Sequence, residues 1–479
     1  MNAATGHAVT ARAAAERRER QVAFLVAGAY FMENLDGTVI ATALPQMAAS
    51  FHASPVDLNM GMTVYMLTLA VFIPVSGWLA DRFGARTVFS TAIAIFTFAS
   101  VLCGMTNSLA QFTAARILQG IGGAMMVPVG RLAVLRITDK KNLMRSVAYI
   151  TWPGLMAPVI GPPVGGFITT YFSWRWIFFL NIPLGGVAIV LALWWIGNEK
   201  GNAKRLFDWP GFALSGTSCV AFMYGLELIG QSRPRWWLLS LLLVYGMLAG
   251  WMAVRHMLRT PHPLLEFSSM KIRAFSISII GGSLFRIAIS VSPFLLPLMF
   301  QVAFGLSAFE SGLLVLSLFA GNLTMKTITT PVLRRFGFRT VLIVNGVISA
   351  ALIFSFGFLS PQTPKIAILA VLFLHGLSRS MQFTSINTLA FAEVPQSAMS
   401  SATSMQAVVQ QMSMGMGVAV GAVALRAAAA MRGYRGSQPS LADFHIAFAL
   451  VFTLALVAVA DCFGLDRNAG AEVSGHAKH

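Results

Sequence analysis

The chain has 479 residues, of which 56% are hydrophobic and only 11% are charged. Soluble domains carry about 25% charged residues, so this composition excludes a soluble globular protein. The formal net charge of +17 is attributed to basic loops at a membrane surface rather than to a nucleic-acid partner. The three cysteines lie far apart in apolar segments, which predicts neither a disulfide framework nor a metal site.

Fourteen apolar segments are predicted to be helices that span a bilayer. An even number of spans puts both ends of the chain on one side of the membrane. We expect this side to be the cytoplasm, because most Lys and Arg residues then fall in cytoplasmic segments. The predicted spans are 21–48, 56–80, 86–106, 109–136, 144–170, 174–197, 210–230, 236–258, 272–303, 308–332, 338–359, 364–390, 398–428 and 443–465.

Two parts of the chain repeat each other. The stretch D-R-F-G-A-R-T-V at 81–88 matches R-R-F-G-F-R-T-V at 334–341 in six of eight positions, 253 residues further on. A similar spacing of 256 residues relates Gly161 to Gly417. Several landmarks with nearly the same spacing indicate two homologous halves, and parallel repeats of this kind are typical of transporters.

The repeat predicts two halves of six helices each, with two further helices inserted between them. Each copy also contains a capping-box pattern before a helix, Ser54 with Asp57 and Ser307 with Glu310. The predicted divisions are a cytoplasmic N-terminal tail at 1–20, an N-terminal half at 21–200, the inserted helices and linkers at 201–262, a C-terminal half at 263–466 and a cytoplasmic C-terminal tail at 467–479.

Five motifs resemble those of the fourteen-helix drug:proton antiporters of the major facilitator superfamily. The resemblance covers residues 20–465 and implies an all-α polytopic membrane protein with the major facilitator fold and fourteen transmembrane helices. The motifs are L-D-G-T-V-I-A-T-A-L-P at 35–45, G-W-L-A-D-R-F-G-A-R-T at 77–87, R-I-L-Q-G-I-G-G-A at 116–124, G-P-P-V-G-G at 161–166 and W-R-W-I-F-F-L-N-I-P-L-G-G at 174–186.

The motif at 77–87 implies, by this resemblance, a loop that latches the outward-open state. In the second copy Arg334 replaces Asp81 and Thr330 replaces Gly77, so we expect an asymmetric latch. The alternative is an ordinary basic loop on the cytoplasmic side. The predicted latch residues are Gly77, Asp81, Arg82, Gly84 and Arg86.

The motif at 161–166 resembles the antiporter signature of the fifth helix, which the family associates with export. Proline interrupts the hydrogen-bond ladder of a helix, and glycine permits close packing. The alternative is an ordinary kinked helix. The predicted residues of this helix kink are Gly161, Pro162, Pro163, Gly165 and Gly166.

Two carboxylates, Glu33 and Asp36, lie inside the first predicted span, three residues apart and therefore on one helix face. Charges are costly in a membrane, so this face is expected to point to a central cavity. Arg116, in the fourth span, is at a comparable depth, and we predict that it pairs with Asp36. We assign proton coupling to Asp36, Glu33 and Arg116; the alternative is a static ion pair.

The repeat places Arg286 at the position equivalent to Glu33, and we predict that the two face each other or a shared substrate. The amides of Gln410, Gln411 and Asn322 could bind substrate or a neighbouring helix, and we favour the helix. A cavity with both signs of charge suits amphiphilic anions and zwitterions as well as cations. The predicted lining of the substrate cavity is Glu33, Asp36, Arg286, Arg379, Gln119 and Gln410.

The resemblance implies a proton-coupled antiporter that exports amphiphilic small molecules, such as drugs or toxic compounds, across the cytoplasmic membrane. Its partners are the substrate, protons and the lipid bilayer, with no catalytic or metal residues, no cofactor and no nucleic acid. A monomer is expected, and the sequence does not identify an adaptor protein. The alternatives are an exporter of a specific anionic or zwitterionic metabolite, a facilitator or importer of the same fold, or a sensor. An ATP-driven pump and a membrane enzyme are excluded, because no loop could hold a nucleotide domain and no catalytic motif is present.

Overall fold

A computed structural model of the chain describes residues 2–54, 57–138, 143–198, 206–229, 235–261, 263–395, 398–433, 439–466 and 469–470, and they form helices and short connections without a strand. Most of the predicted C-terminal tail therefore lies outside the described residues. The helices are α1 (Asn2–Phe51), α2 (Asn59–Phe83), α3 (Ala85–Met105), α4 (Leu109–Ile137), α5 (Leu143–Tyr171), α6 (Trp176–Phe179), α7 (Asn181–Trp195), α8 (Trp209–Ile229), α9 (Trp236–Met257), α10 (Arg273–Leu298), α11 (Ala308–Ser355), α12 (Lys365–Ala392), α13 (Met399–Met431) and α14 (Leu441–Cys462).

Ten helical segments in the described part of the chain are long and apolar enough to cross a membrane. One of them contains α11, in which Gly337 has non-helical backbone angles (φ 71°, ψ 164°) and divides the helix into two limbs. These limbs correspond to the predicted spans 308–332 and 338–359. The polytopic helical fold is confirmed, and the count of fourteen spans stays a prediction.

The internal repeat is visible in the backbone. Gly84 and Gly337, which are 253 residues apart, have φ values of 91° and 71°. His52 and Gly305 have the same separation, with φ values of 52° and 72°. Residues other than glycine rarely adopt a positive φ. Its recurrence at equivalent positions shows that the backbone turns in the same way in the two halves.

The capping box predicted in the second half is present, because Ser307 and Glu310 exchange side-chain and backbone hydrogen bonds at the start of α11. In the first half the helix begins later, at Asn59, and its N-cap residue Leu58 makes no side-chain capping bond. Asp57 instead forms an ion pair with Arg426 of α13. The two copies therefore share a turn but use their acidic residues differently.

The two halves meet near the face of the protein at which α1 ends, here called the second face; α1 begins at the first face. Among the described residues, two side-chain hydrogen bonds and one ion pair join the N-terminal half, through α1, α5 and the turn before α2, to the C-terminal half. They are Gln301 Nε2 to the Thr42 carbonyl (3.1 Å), the Phe309 N–H to Thr170 Oγ1 (3.1 Å) and the Arg426–Asp57 ion pair. The second face is closed in this structure.

Glycines bring α5 and α11 into backbone contact near the second face. A Cβ atom at Gly166 would collide with the carbonyl group of Ala308, and one at Gly312 would collide with the carbonyl group of Pro162. Small residues let helices approach closely in a membrane. The motif at 161–166 therefore lies at the interface between the halves, on a helix that stays continuous through four prolines.

The inserted helix α8 packs against α2 of one half and α13 of the other, whereas α9 packs mainly against α8. Aromatic pairs, including Phe72 with Phe212 at 5.5 Å between ring centroids, join α8 to α2. On the other side Cys219 contacts Met412 of α13. The inserted pair thus covers one seam between the halves.

Asp208 fastens the inserted pair at the first face. Its carboxylate accepts hydrogen bonds from the backbone N–H groups of Gly211 (2.9 Å) and Leu264 (3.0 Å) and lies 2.7 Å from Nε2 of His256. Burial raises the pKa of the Asp208 carboxyl, but the hydrogen bonds from Gly211, His256 and Leu264 outweigh it, so the pKa lies below its ordinary value. The start of α8, the end of α9 and the linker to α10 are joined at one buried side chain.

Asp208→Ala is expected to destabilise the protein by about 2–3 kcal/mol, because hydrogen bonds to a charged group are lost. Asp208→Asn is expected to lose less, since asparagine can still cap α8 through Gly211. Because the pKa is lowered, the contribution of the carboxylate is fully present above about pH 4 and is lost only in stronger acid. Thermal unfolding of the wild type and the purified variants at pH 5–8 measures both effects. If the stability that Asp208→Ala loses relative to the wild type becomes smaller as the pH falls from 8 to 5, this account is contradicted.

Candidate functional site

A cavity of about 200 Å³ lies between the two halves, on the first-face side of the contacts that close the second face. Side chains of α1, α2 and α5 form one wall, and those of α10, α11, α12 and α13 form the other. Most of the lining is apolar, with a few charged and amide groups. The lining residues are Glu33, Asn34, Gly37, Thr38, Met62, Tyr65, Met66, Leu69, Pro158, Val159, Ser290, Pro293, Phe294, Phe319, Asn322, Leu323, Arg379, Gln411, Met414 and Val418.

Asp36 forms the predicted ion pair with Arg116, at 2.6 Å between Oδ2 and Nη1. The other carboxylate oxygen accepts hydrogen bonds from Gln119 Nε2 (2.8 Å) and Asn181 Nδ2 (3.1 Å). Both of these amides also donate to Ser100 Oγ, at 2.8 and 3.1 Å. All five residues are buried, so this polar network joins α1, α3, α4 and α7 inside the N-terminal half.

Tyr65 of α2 lies between this network and the cavity. The Arg116 guanidinium is 4.0 Å from the centroid of the Tyr65 ring, a distance suited to a cation–π contact. Tyr65 also lines the cavity, and its buried hydroxyl has no hydrogen-bond partner among the described residues. The Asp36–Arg116 pair is therefore one aromatic ring away from the cavity.

Glu33 lines the cavity directly. Its Oε2 atom is buried without a hydrogen-bond partner in the described part of the chain. Asp36, one helical turn further on, and Arg131 of α4 are the charged groups that act on it. The two carboxylates of α1 thus have different surroundings: Asp36 is fully paired, and Glu33 is available to the contents of the cavity.

Arg379 of α12 lines the cavity from the C-terminal half. It forms no ion pair in the part of the chain that the structure describes, and its Nε atom is buried without a partner there. The Phe319 ring lies 5.9 Å from the guanidinium carbon. One turn earlier His375 is fully buried, and neither ring nitrogen has a partner among the described residues.

Four predicted cavity residues lie outside this lining. Asp36 and Gln119 are behind Tyr65 in the buried network. Gln411 lines the cavity in place of Gln410, because neighbouring residues of a helix point in different directions. Arg286 is the fourth.

Arg286 does not meet Glu33 in this structure. Its guanidinium donates to Asn387 Oδ1 (2.9 Å) and to the Ser278 carbonyl (3.2 Å). Asn387 in turn lines a second cavity, of about 420 Å³. The rest of its lining is Lys326 of α11 and further residues of α12. The glycine contacts of α5 with α1 and of α13 with α10 match at an offset of 252 residues along α1 and α10, so Phe285 and not Arg286 is the equivalent of Glu33.

The repeat can be followed through the helices that carry the network. Gly120 of α4 packs against the carbonyl group of Tyr65, and Gly376 of α12 packs against the carbonyl group of Leu318. These are the same contact in the two halves, with α12 shifted by 256 residues from α4 and α11 by 253 from α2. The helices α4 and α12 are thus structurally equivalent.

This equivalence shows that the charged network has no counterpart. The glycine contacts of α5 with α1 recur between α13 and α10 at an offset of 252 residues along α1 and α10, as Val39 and Val291 show. Asp36 therefore corresponds to Ala288, and Arg116 corresponds to Leu372, which are both apolar and buried. Arg379 stands where the first half has Gly123. Within the described ranges Asp36 of the N-terminal half is paired with a cation, whereas Arg286 and Arg379 of the C-terminal half form no ion pair.

The predicted latch lies at the first face. Gly84 joins α2 to α3 with positive φ and packs against the Asn198 side chain, whose amide oxygen accepts the backbone N–H of Thr87 at 3.2 Å. Arg82 is exposed and contacts the Trp78 ring at 5.4 Å. The others, Gly77, Asp81 and Arg86, lie on α2 and α3 beside this turn.

The motif at 161–166 contacts both halves. Gly161 and Gly165 pack against Thr38 and Thr42 of α1, in their own half. Gly166 and Pro162 contact α11 of the other half, as described above, and Pro163 lies beside the carbonyl group of Pro162 that contacts Gly312. Any change in the angle between the halves must therefore move this segment.

Sequence reasoning missed two members of the site. Asn181 completes the shell of Asp36 and lies at the start of α7, within the single apolar segment Trp176–Trp195 that agrees with the span predicted at 174–197. A lone asparagine in an apolar segment is the signal that could have revealed it. Tyr65 carried no such signal, since tyrosine is common in membrane helices.

The repeated six-helix halves, the central cavity and the buried charges define a membrane transporter. The chain belongs to the Major Facilitator Superfamily, whose family model matches residues 26–418. It is thus a multi-pass membrane protein and a secondary transporter, not an enzyme.

The curated relatives carry transporter names. The chain is 38% identical over 408 residues to a protein of Klebsiella pneumoniae (strain 342) named "Putative multidrug resistance protein MdtD", covering 84% of this chain and 85% of the relative. It is 35% identical to the "Probable transport protein HsrA" of Haemophilus influenzae, covering 85% and 88%.

Solved transporters share the fold. A D-xylose-proton symporter superposes with a TM-score of 0.67 at 14% identity, covering 94% of this chain and 98% of that one. A peptide transporter of the POT family gives 0.63 at 16% identity, covering 96% and 98%.

Proposed function

We propose that this chain is a proton-coupled antiporter that exports amphiphilic small molecules, such as drugs or toxic compounds, across the cytoplasmic membrane. The proton gradient supplies the energy, and no cofactor takes part. The relatives named for multidrug resistance support the substrate class. The motif at 161–166, which resembles the antiporter signature, supports the direction.

The observation that carries this proposal is the buried Asp36–Arg116 pair one ring away from the cavity. A carboxylate in a membrane marks a proton or substrate pathway by default. Protonation of Asp36 removes the charge that holds Arg116, so the network around Gln119 and Asn181 must rearrange. Proton binding thereby changes the wall of the cavity at Tyr65, and Glu33 brings a second carboxylate into direct contact with the substrate.

Alternating access requires the contacts between the halves to open at one face while others form at the opposite face. With both termini in the cytoplasm, the closed second face is the outer one, and the cavity in this structure serves the cytoplasmic side. Export then needs the Arg426–Asp57 pair and the glycine contacts of α5 with α11 to separate. The loop at 77–87, at the first face, would close the cytoplasmic side in the opposite state.

The test is transport by purified protein in liposomes with an imposed pH gradient. We expect amphiphilic dyes to accumulate in the direction opposite to proton movement. The number of protons that cross, measured as the change of lumenal pH, should stay in a fixed ratio to the amount of dye transported. Dissipating the gradient with nigericin should stop accumulation. Protein-free liposomes of the same lipid provide the control for passive partitioning.

A facilitator of the same fold would only equilibrate the dye across the membrane, at a rate that does not depend on the pH gradient. That result, or accumulation in the direction of proton movement, would overturn the antiport proposal. Proton flux without dye movement would do the same.

A further inference from the structure

We infer that Arg379 is the subsite for an acidic group of the substrate, so that the transported amphiphiles include organic acids such as carboxylates. This inference rests on the proposed function, because it names a substrate class for the same cavity. It differs from a purely cationic substrate range, which the two carboxylates of α1 alone would suggest.

The first support is the unsatisfied charge. A guanidinium has five N–H donors and strongly prefers a carboxylate partner. Arg379 lines the cavity but forms no ion pair within the described ranges. Its contact with the Phe319 ring, at 5.9 Å, lies on one side only. A cation left in this way inside a membrane protein needs a partner, and the cavity is where an acidic group could reach it.

The second support is the repeat. A structural ion pair in the C-terminal half would occupy the positions equivalent to Asp36 and Arg116, but these are Ala288 and Leu372. Arg379 instead stands where the N-terminal half has Gly123, at which a Cβ atom would lie 3.0 Å from the Leu69 side chain and 3.2 Å from the Tyr65 hydroxyl. Arg379 is thus a cation that only the C-terminal half has at this position of the cavity wall, and the packing that the two halves share does not require it.

The third support is the arrangement of charge along the same half. The second cavity, on the first-face side of Arg379, contains Lys326 on α11 and the amide of Asn387 on α12. Arg286 donates to that amide. Among the described residues no acidic side chain lines this second cavity. Lys326 thus adds a second cation between Arg379 and the first face, while Glu33 on the facing wall of the central cavity is left for a proton or a basic group.

The experiment measures binding of four dansyl probes to the full-length protein in nanodiscs. Dansylcadaverine carries an ammonium group, and Nε-dansyl-lysine adds a carboxylate to it. N-pentyl dansylamide is neutral, and 6-(dansylamino)hexanoate adds a carboxylate to that. Each pair isolates the carboxylate on the same apolar body, and empty nanodiscs correct for partitioning into lipid.

We expect the carboxylate to raise affinity about tenfold in both pairs, as a hydrogen-bonded charge pair at a partly desolvated site does. Arg379→Gln should abolish this gain in both pairs, and Arg379→Lys should keep part of it. Unchanged binding of the neutral probe shows that the variant is folded. Arg255→Gln, on the exposed side of α9, is the matched control and should leave the gain intact.

No gain from the carboxylate in the wild-type protein, or an equal gain in Arg379→Gln, would overturn the inference. If the probes are nevertheless transported against a proton gradient, the proposed function stands without it. If the gain depends on Arg379 but no probe responds to the gradient, the subsite stands and the antiport proposal fails.

Discussion

Replacing Asp36 with asparagine is expected to abolish proton-driven transport while the protein remains folded. Asparagine has nearly the shape of aspartate and can still accept a hydrogen bond from Gln119 or Asn181, but it cannot exchange a proton. We expect gradient-driven transport to fall to about one hundredth or less, the lower range of what a positioned proton acceptor contributes. Proton release on addition of substrate to the purified protein should disappear as well.

Two variants make this result specific. Glu33→Gln tests the carboxylate that faces the cavity, and the two together show which one carries the coupled proton. Asp466→Asn changes an exposed carboxylate beyond the end of α14 and should transport normally. Substrate-induced proton release from Asp36→Asn equal to that of the wild type would contradict the coupling role and leave the pair as a structural element.

The second large effect concerns the ion pair as a unit. Arg116→Leu alone leaves the Asp36 carboxylate buried without its cation, which costs about 3–5 kcal/mol in comparable buried pairs. The double variant Asp36→Ile with Arg116→Leu makes both positions apolar, as they are in the C-terminal half, which has Ala288 and Leu372 there. We expect it to regain most of the lost stability, since apolar replacement of a buried pair is often neutral.

The double variant should nevertheless be inactive. Thermal unfolding in detergent and gradient-driven transport, measured on the wild type, Arg116→Leu and the double variant, separate the two contributions. A stable and inactive double variant shows that the charges are kept for transport. If the double variant is as unstable as Arg116→Leu, the polar network is needed for folding and the repeat is a poor guide to this core.

Much of the fold could be predicted from the sequence because a membrane imposes simple rules. Long apolar segments must be helical, and the repeated sequence at 81–88 and 334–341 predicts two equivalent halves. The structure confirms this with positive φ angles at both Gly84 and Gly337. The span predicted at 174–197 likewise agrees with one apolar helical segment, Trp176–Trp195.

The site was predictable where charges are rare. Asp36 and Arg116 are conspicuous in apolar helices, and their pairing followed from depth along the two helices. The position of Arg286 did not follow, because the offset of 253 residues read from the loops becomes 252 along α1 and α10, which shifts the equivalent position by one residue. Its guanidinium turns to Asn387 inside the C-terminal half, whereas Arg379 reaches the cavity.

By itself the sequence determined that this protein is a helical membrane transporter with two related halves and that Asp36, Glu33 and Arg116 are exceptional residues. Hydrophobicity and the cost of buried charge act locally along the chain, so the residue types alone reveal them. Only the tertiary structure decided which charges are satisfied. It paired Asp36 with Arg116, Gln119 and Asn181, closed the second face through glycines of α5 and α11, and left Glu33 and Arg379 on opposite walls of one cavity. Those outcomes depend on how helices far apart in the chain turn toward each other, which no local pattern records.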